Sequence, residues 1–89
     1  MRRGIPVALG NAAMSVMKYG NFFIMTNTVQ DDREDVEVFM PGVCADYVFE
    51  ITREGRIIKA FAEQKNENRI VLKGIFPRIS TRTFIIKDK

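Results

Sequence analysis

The chain has no histidine, no tryptophan, one cysteine and three prolines in 89 residues. Each shortage removes a class of chemistry. Without imidazole, the usual general acid/base near neutral pH and the commonest metal ligand are both missing. A single cysteine, Cys44, cannot form an internal disulfide or a thiolate metal cluster. Its neighbours Val43 and Ala45 are apolar, and no lysine lies within ten residues. A reactive thiol needs an electropositive setting, so Cys44 reads as a small buried or half-buried hydrophobe. One reduced cysteine suits a cytoplasmic location. No apolar run reaches the ~20 residues of a membrane-crossing helix. The opening Met1-Arg2-Arg3 faintly resembles the start of a secretory leader, but no small-residue cleavage site follows, and the segment reads as part of the fold.

What remains is hydrophobic: 46% of residues, including seven phenylalanines. That content excludes a disordered chain and suffices for one core, so residues 1–89 are read as a single compact domain.

Pro6 sits well in a first helical turn, and Asn11, Ser15 and Lys18 recur at helical spacing as a polar strip. Gly20 stands where a left-handed cap would end such a helix. The pattern predicts a helix over 6–18. After Gly20 the chain reads as strand. Residues 21–29 are aromatic and β-branched, residues 35–40 and 46–52 alternate, and residues 57–63, 69–75 and 81–87 follow. Arg53-Glu54-Gly55-Arg56 and Lys65-Asn66-Glu67-Asn68 are turn signals. The expected fold class is therefore α+β: one N-terminal helix packed on an antiparallel β-meander of five to six short strands. Residues 57–63 are apolar on both parities, which suggests a strand covered on both sides, by curvature or by a partner chain.

The net charge of +3 is unevenly spread. Residues 1–50 hold four basic and seven acidic groups, whereas residues 51–89 hold ten basic and four acidic. In a meander, Lys59, Lys73 and Arg82 would line up across neighbouring strands. Together with Arg53, Arg56, Arg69 and Arg78 they form a candidate basic face for a partner. The acidic run gives a second candidate contact: Asp31, Asp32, Glu34 and Asp35. It lacks the alternating ligands and the glycine of a calcium loop.

No phosphate loop, dinucleotide turn or activated serine is present, and nothing in the spacing joins Asp46 or Glu50 to Glu63 as a carboxylate pair. The sequence assigns no catalytic residue, no metal ligand and no cofactor. It supports a small non-enzymatic protein-binding module, adaptor-like or inhibitor-like. The alternatives are a nucleic-acid-binding protein using the basic C-terminal strands, whose affinity would fall steeply with salt, and a structural homo-oligomer. No membrane partner is expected.

Overall fold

The computed structural model describes residues 7–8 and 14–87. Nine strands form two antiparallel sheets among these residues. They are β1 (Val7–Ala8), β2 (Met14–Tyr19), β3 (Phe22–Asn27), β4 (Arg33–Phe39), β5 (Val48–Ile51), β6 (Ile57–Lys59), β7 (Ala62–Asn66), β8 (Arg69–Phe76) and β9 (Ser80–Ile86). One sheet has the order β1-β4-β8-β7, the other β2-β3-β9-β5-β6. Among the described residues the helical content is one 3-10 turn, Ala45–Tyr47.

The α+β expectation is thus overturned. Residues 7–8 and 14–18 of the predicted helix are strand, and residues 9–13 lie outside the described set. The physical reason is an ambiguity of period. Met14 to Tyr19 also alternates, with Met14 buried and Val16 packed on the core, while Ser15, Met17 and Tyr19 are exposed. Gly20 resolves it. Its φ of 59° serves as well in a two-residue hairpin turn, Gly20-Asn21, between the paired residues Tyr19 and Phe22. Glycine in the first position of such a loop closes a hairpin, which a six-residue strand can then zip.

The expected meander is corrected as well. Sequential neighbours pair in β2-β3, β5-β6 and β7-β8, but β9 inserts between β3 and β5, and β4 pairs with β8. The chain crosses between sheets instead of running along one. Antiparallel pairing does hold throughout.

The inward faces of both sheets close one core. Phe23 and Met25 from β3, Phe84 and Ile86 from β9 and Val48 from β5 meet Val36 and Val38 from β4 and Ile70 and Leu72 from β8. Phe23 and Phe84 are register partners whose rings stack at 5.1 Å. Asn27 is buried at 1% exposure, yet its amide is used fully. Nδ2 donates to the carbonyls of Asp31 (3.0 Å) and Pro77 (3.2 Å), and Oδ1 accepts from Val29 N–H (3.2 Å). One side chain thereby ties the β3–β4 loop to the β8–β9 turn.

Residues 57–63 are not one covered strand. β6 ends at Lys59, β7 begins at Ala62, and both are edge strands of different sheets. Ala60 N–H still bonds Val48 of one sheet, and the Phe61 carbonyl accepts from Lys73 of the other. The strand bends around a corner there, burying Ala60 and exposing Phe61 at 74%. Apolar residues on both parities record that bend, which buries Ala60 and leaves Ile57, Ile58 and Phe61 exposed.

Candidate binding face

The two outer faces of this sandwich differ in chemistry. On the four-stranded sheet, Glu37 of β4 lies between Lys65 (2.6 Å) and Arg69 (3.2 Å), and Asp35 accepts from Lys73 (3.4 Å). The register between β4 and β8 slips between Glu34 and Val36, and Asp35 takes a φ of 52° at the slip. Its Oδ1 accepts from Gly74 N–H at 2.8 Å, which supplies the local reason for that conformation. The Gly74 bond holds the Asp35 carboxyl below its ordinary range, outweighing desolvation, and the Lys73 charge adds a lesser pull in the same direction. Lys65, followed by Arg69, does the same for Glu37. This face is a solvated lattice of ion pairs.

The acidic run and the basic strands, read from sequence as two separate docking patches, therefore meet inside one molecule. Asp35 binds Lys73, and Asp32 Oδ1 accepts from the backbone N–H of Arg78 at 2.8 Å. Asp31 contributes its carbonyl to Asn27, and Glu34 is exposed opposite Ile75.

The seven basic candidates do not share a face. Lys73 and Arg69 lie on the four-stranded sheet, in the ion pairs just described. Lys59 lies on β6 of the other sheet, its Nζ donating to the carbonyls of Ala45 (2.8 Å) and Ala60 (3.0 Å). Arg82 shares the inward parity of Phe84 on β9. Its Nε and Nη2 grip both carboxylate oxygens of Glu50 at 2.8 and 2.7 Å, and its guanidinium lies 5.0 Å from the Phe76 ring and 5.2 Å from that of Phe84. Arg53 and Arg56 occupy the β5–β6 turn, closed by Thr52 and Gly55, and Arg78 sits in the β8–β9 turn.

A cleft of about 490 Å³ opens at this end of the sandwich, between Arg53, Ile75, Thr81 and the Glu50–Arg82 pair. Its one carboxylate, Glu50, and Arg82 neutralise each other, which leaves Arg53 and the hydroxyls of Thr52, Ser80, Thr81 and Thr83 along the cleft. Glu50 thus meets Arg82 and not the second carboxylate that a two-acid mechanism needs. Among the described residues no group of three His, Cys, Asp or Glu is placed to hold a metal. Cys44 is exposed, contrary to its expected burial, although its neighbours Val43 and Ala45 are buried. The loop after β4 turns the two flanking side chains inward and leaves the thiol outside.

The outer face of the five-stranded sheet is different. Register places Tyr19, Phe22, Ile85, Phe49 and Lys59 in one row across β2-β3-β9-β5-β6. The next row is Met17, Ile24, Thr83, Ile51 and Ile57, followed by Ser15, Thr26 and Thr81. Met17 and Tyr19 are each 54% exposed, Ile57 48% and Phe22 41%. The described residues of these three rows include no carboxylate. Lys59 lies 5.9 Å from the Phe49 ring and Lys87 lies 4.6 Å from it, so both cations rest on the same aromatic. Monomers rarely leave contiguous apolar patches beyond ~300–600 Å² in water, and such patches mark contact surfaces.

Sequence reasoning missed this face, although a signal was present. Phe22-Phe23-Ile24-Met25 and Phe84-Ile85-Ile86 are apolar on both parities. One parity fills the core, and the other has no counterpart in the fold. No protein-family model, curated protein or solved structure matches the chain.

Proposed function

We propose that this chain is a small non-enzymatic binding module that docks through the outer face of its five-stranded sheet onto another folded polypeptide surface. The observation that carries the reading is the two-row apolar face from Tyr19 and Met17 to Phe49 and Ile57, set against an opposite sheet face dressed in ion pairs. The binding surface thus moves away from the basic strands, where Lys65, Arg69, Lys73 and Arg82 are engaged by Glu37, Asp35 and Glu50. An apolar centre with cations at its border is the composition of a protein-contact patch. A single exposed thiol without a disulfide partner suits a reducing, cytosolic setting. Among the described residues no helix is long and apolar enough to cross a membrane.

The test is site-specific photo-crosslinking in cells, with a photo-reactive residue at Met17 on this face or at Glu63 on the other sheet. A polypeptide adduct from position 17 but not from position 63 is expected. Adducts from neither position, or from 63 alone, would refute the reading.

A second reading, nucleic-acid binding, draws on one observation. Arg53 and the Pro77–Ser80 turn wall the same cleft, which brings Arg53 and Arg78 to one end of the sandwich. Binding there would weaken steeply between about 50 and 200 mM salt and would disappear in an Arg53→Gln, Arg78→Gln double variant.

A further inference from the structure

We propose that the occupant of the five-stranded face is the same face of a second copy, related by a twofold axis that runs in the interface along β9. The proposal rests on the docking reading above and names its partner.

Three features argue for self-association. The first is area. The strands β2, β3, β9, β5 and β6 hold six, six, seven, four and three residues. At ~3.3 Å per residue and ~4.8 Å between strands they give a face of roughly 400 Å² in plan. Its accessible surface exceeds its plan because Met17, Tyr19, Phe22 and Ile57 project from it, which raises it toward the ~800 Å² per partner of a standard interface and places the dimer at the small end of stable ones.

The second is the position of β9, which is the middle strand of the five. A twofold axis along it maps β3 onto the partner's β5 and β2 onto the partner's β6. Phe22 then meets Phe49, Ile24 meets Ile51 and Met17 meets Ile57, each pair apolar and each occurring twice. Ile85 and Thr83 lie on the axis and meet their own copies, and facing threonine hydroxyls satisfy each other. Stacked sheets cross at about 30° and lie ~10 Å apart, with the axis bisecting the two β9 strands, so these neighbours stay within reach.

The third is charge. The same operation sets Lys59 over the Tyr19 ring of the other copy, a favourable seat for an ammonium. An axis across the strands would instead press Lys59, whose Nζ is held by the Ala45 and Ala60 carbonyls, onto Ile57 and give its charge no aromatic ring across the interface. Lys87 already leans onto Phe49 and so away from the axis. Because these rows carry Lys59, with Lys87 beside them, and no carboxylate among the described residues, two like-charged faces come together. Added salt therefore strengthens this dimer, whereas it would weaken the docking of an acidic partner.

Sedimentation equilibrium of the purified protein tests the proposal. The expected mass is twice 10.2 kDa at micromolar concentration, with the dimer tightened by added salt. Ile24→Glu should raise the dissociation constant about 100-fold or more, since two carboxylates per dimer would lose water without a partner. Val71→Glu, on the outer face of the other sheet, should leave the mass unchanged. In a Cys44→Ser background, Thr83→Cys should oxidise readily to a disulfide-linked dimer, and Thr26→Cys, one strand off the axis, should not.

A strictly monomeric wild type, or a dimer dissolved by Val71→Glu but not by Ile24→Glu, would overturn the proposal. So would cross-linking through residue 26 in preference to 83. A monomer in solution that still gives adducts with a different polypeptide from position 17 would remove the self-partner and leave the docking face standing. Absence of any adduct would remove both.

Discussion

Glu50→Gln should unfold this domain more easily even though it alters one atom of one side chain. Glu50 and Arg82 form a two-point pair at 2.7 and 2.8 Å, with side chains only 19% and 25% exposed. The change leaves the guanidinium wedged against the Phe76 and Phe84 rings without its counter-charge. Fully exposed pairs contribute about 0–1 kcal/mol, and breaking a fully buried pair costs about 3–5. A pair of this intermediate exposure falls at about 2 kcal/mol. For a domain of this size that corresponds to a fall in Tm of about 8–16 °C, or of about 1–2 M in the urea midpoint.

A thermodynamic cycle of Glu50→Gln, Arg82→Met and the double variant isolates the pair. Both single variants should be destabilised, and the double variant should be less destabilised than their sum by about 1–3 kcal/mol. Replacing both partners removes the orphaned charge, which is the costly part. Singles within about 0.5 kcal/mol of wild type, with no coupling, would refute the inward placement of Arg82 and restore it to a solvated surface.

Three further outcomes follow from other sites. Asn27→Leu keeps the volume but strands the carbonyls of Asp31 and Pro77 and the Val29 N–H, and should cost about 2–4 kcal/mol by urea denaturation. Asp35 and Glu37 have carboxyls held below their ordinary range in the folded state, so they stabilise the fold above the unfolded carboxyl range. That contribution should disappear as pH falls below about 4 through the depressed folded values. The urea midpoint should therefore drop between pH 5 and pH 2, less so in an Asp35→Asn, Glu37→Gln variant, and an equal drop in both proteins would assign acid lability elsewhere. Cys44 should react with a thiol reagent in the native protein about as fast as a free cysteine, whereas protection until unfolding would contradict its exposure.

Much of the β architecture was legible in the sequence because it is local. Turn residues and period-2 alternation lie within a few positions of each other. The hairpin through Arg53-Glu54-Gly55-Arg56 formed as its residues predict, with Ile51 paired to Ile57 and Gly55 at a φ of 84°. The Lys65–Asn68 turn likewise joins β7 to β8, and Asn66 accepts from Asn68 N–H. The first segment misled because Met14-Ser15-Val16-Met17-Lys18-Tyr19 satisfies both periods over so short a span. Only pairing with β3, which spends its backbone hydrogen bonds on a neighbour, chooses between them.

The charged and apolar surfaces depended on information the sequence holds only implicitly. Counting basic groups in residues 51–89 finds a surplus, but a count carries no partner. Whether Lys73 faces water or Asp35, 38 positions away, is decided by the register of β4 on β8. Arg82 and Lys59 were expected on one face and lie on different ones, because side-chain direction in a strand reverses at every residue.

The sequence by itself determined the chemical class of this protein: a one-cysteine, histidine-free chain rich in phenylalanine and threaded with turn residues. Composition and short-range pattern are properties of the chain alone, and they dictate a β-rich core. The tertiary structure decided which parity of each strand was buried and which strand became the centre of each sheet. Those outcomes depend on pairings between residues up to about 60 positions apart, such as Phe23 with Phe84, and are settled by burial and register. The same decision left Tyr19, Phe22, Phe49 and Ile85 together on one outer face, an arrangement that no local pattern specifies.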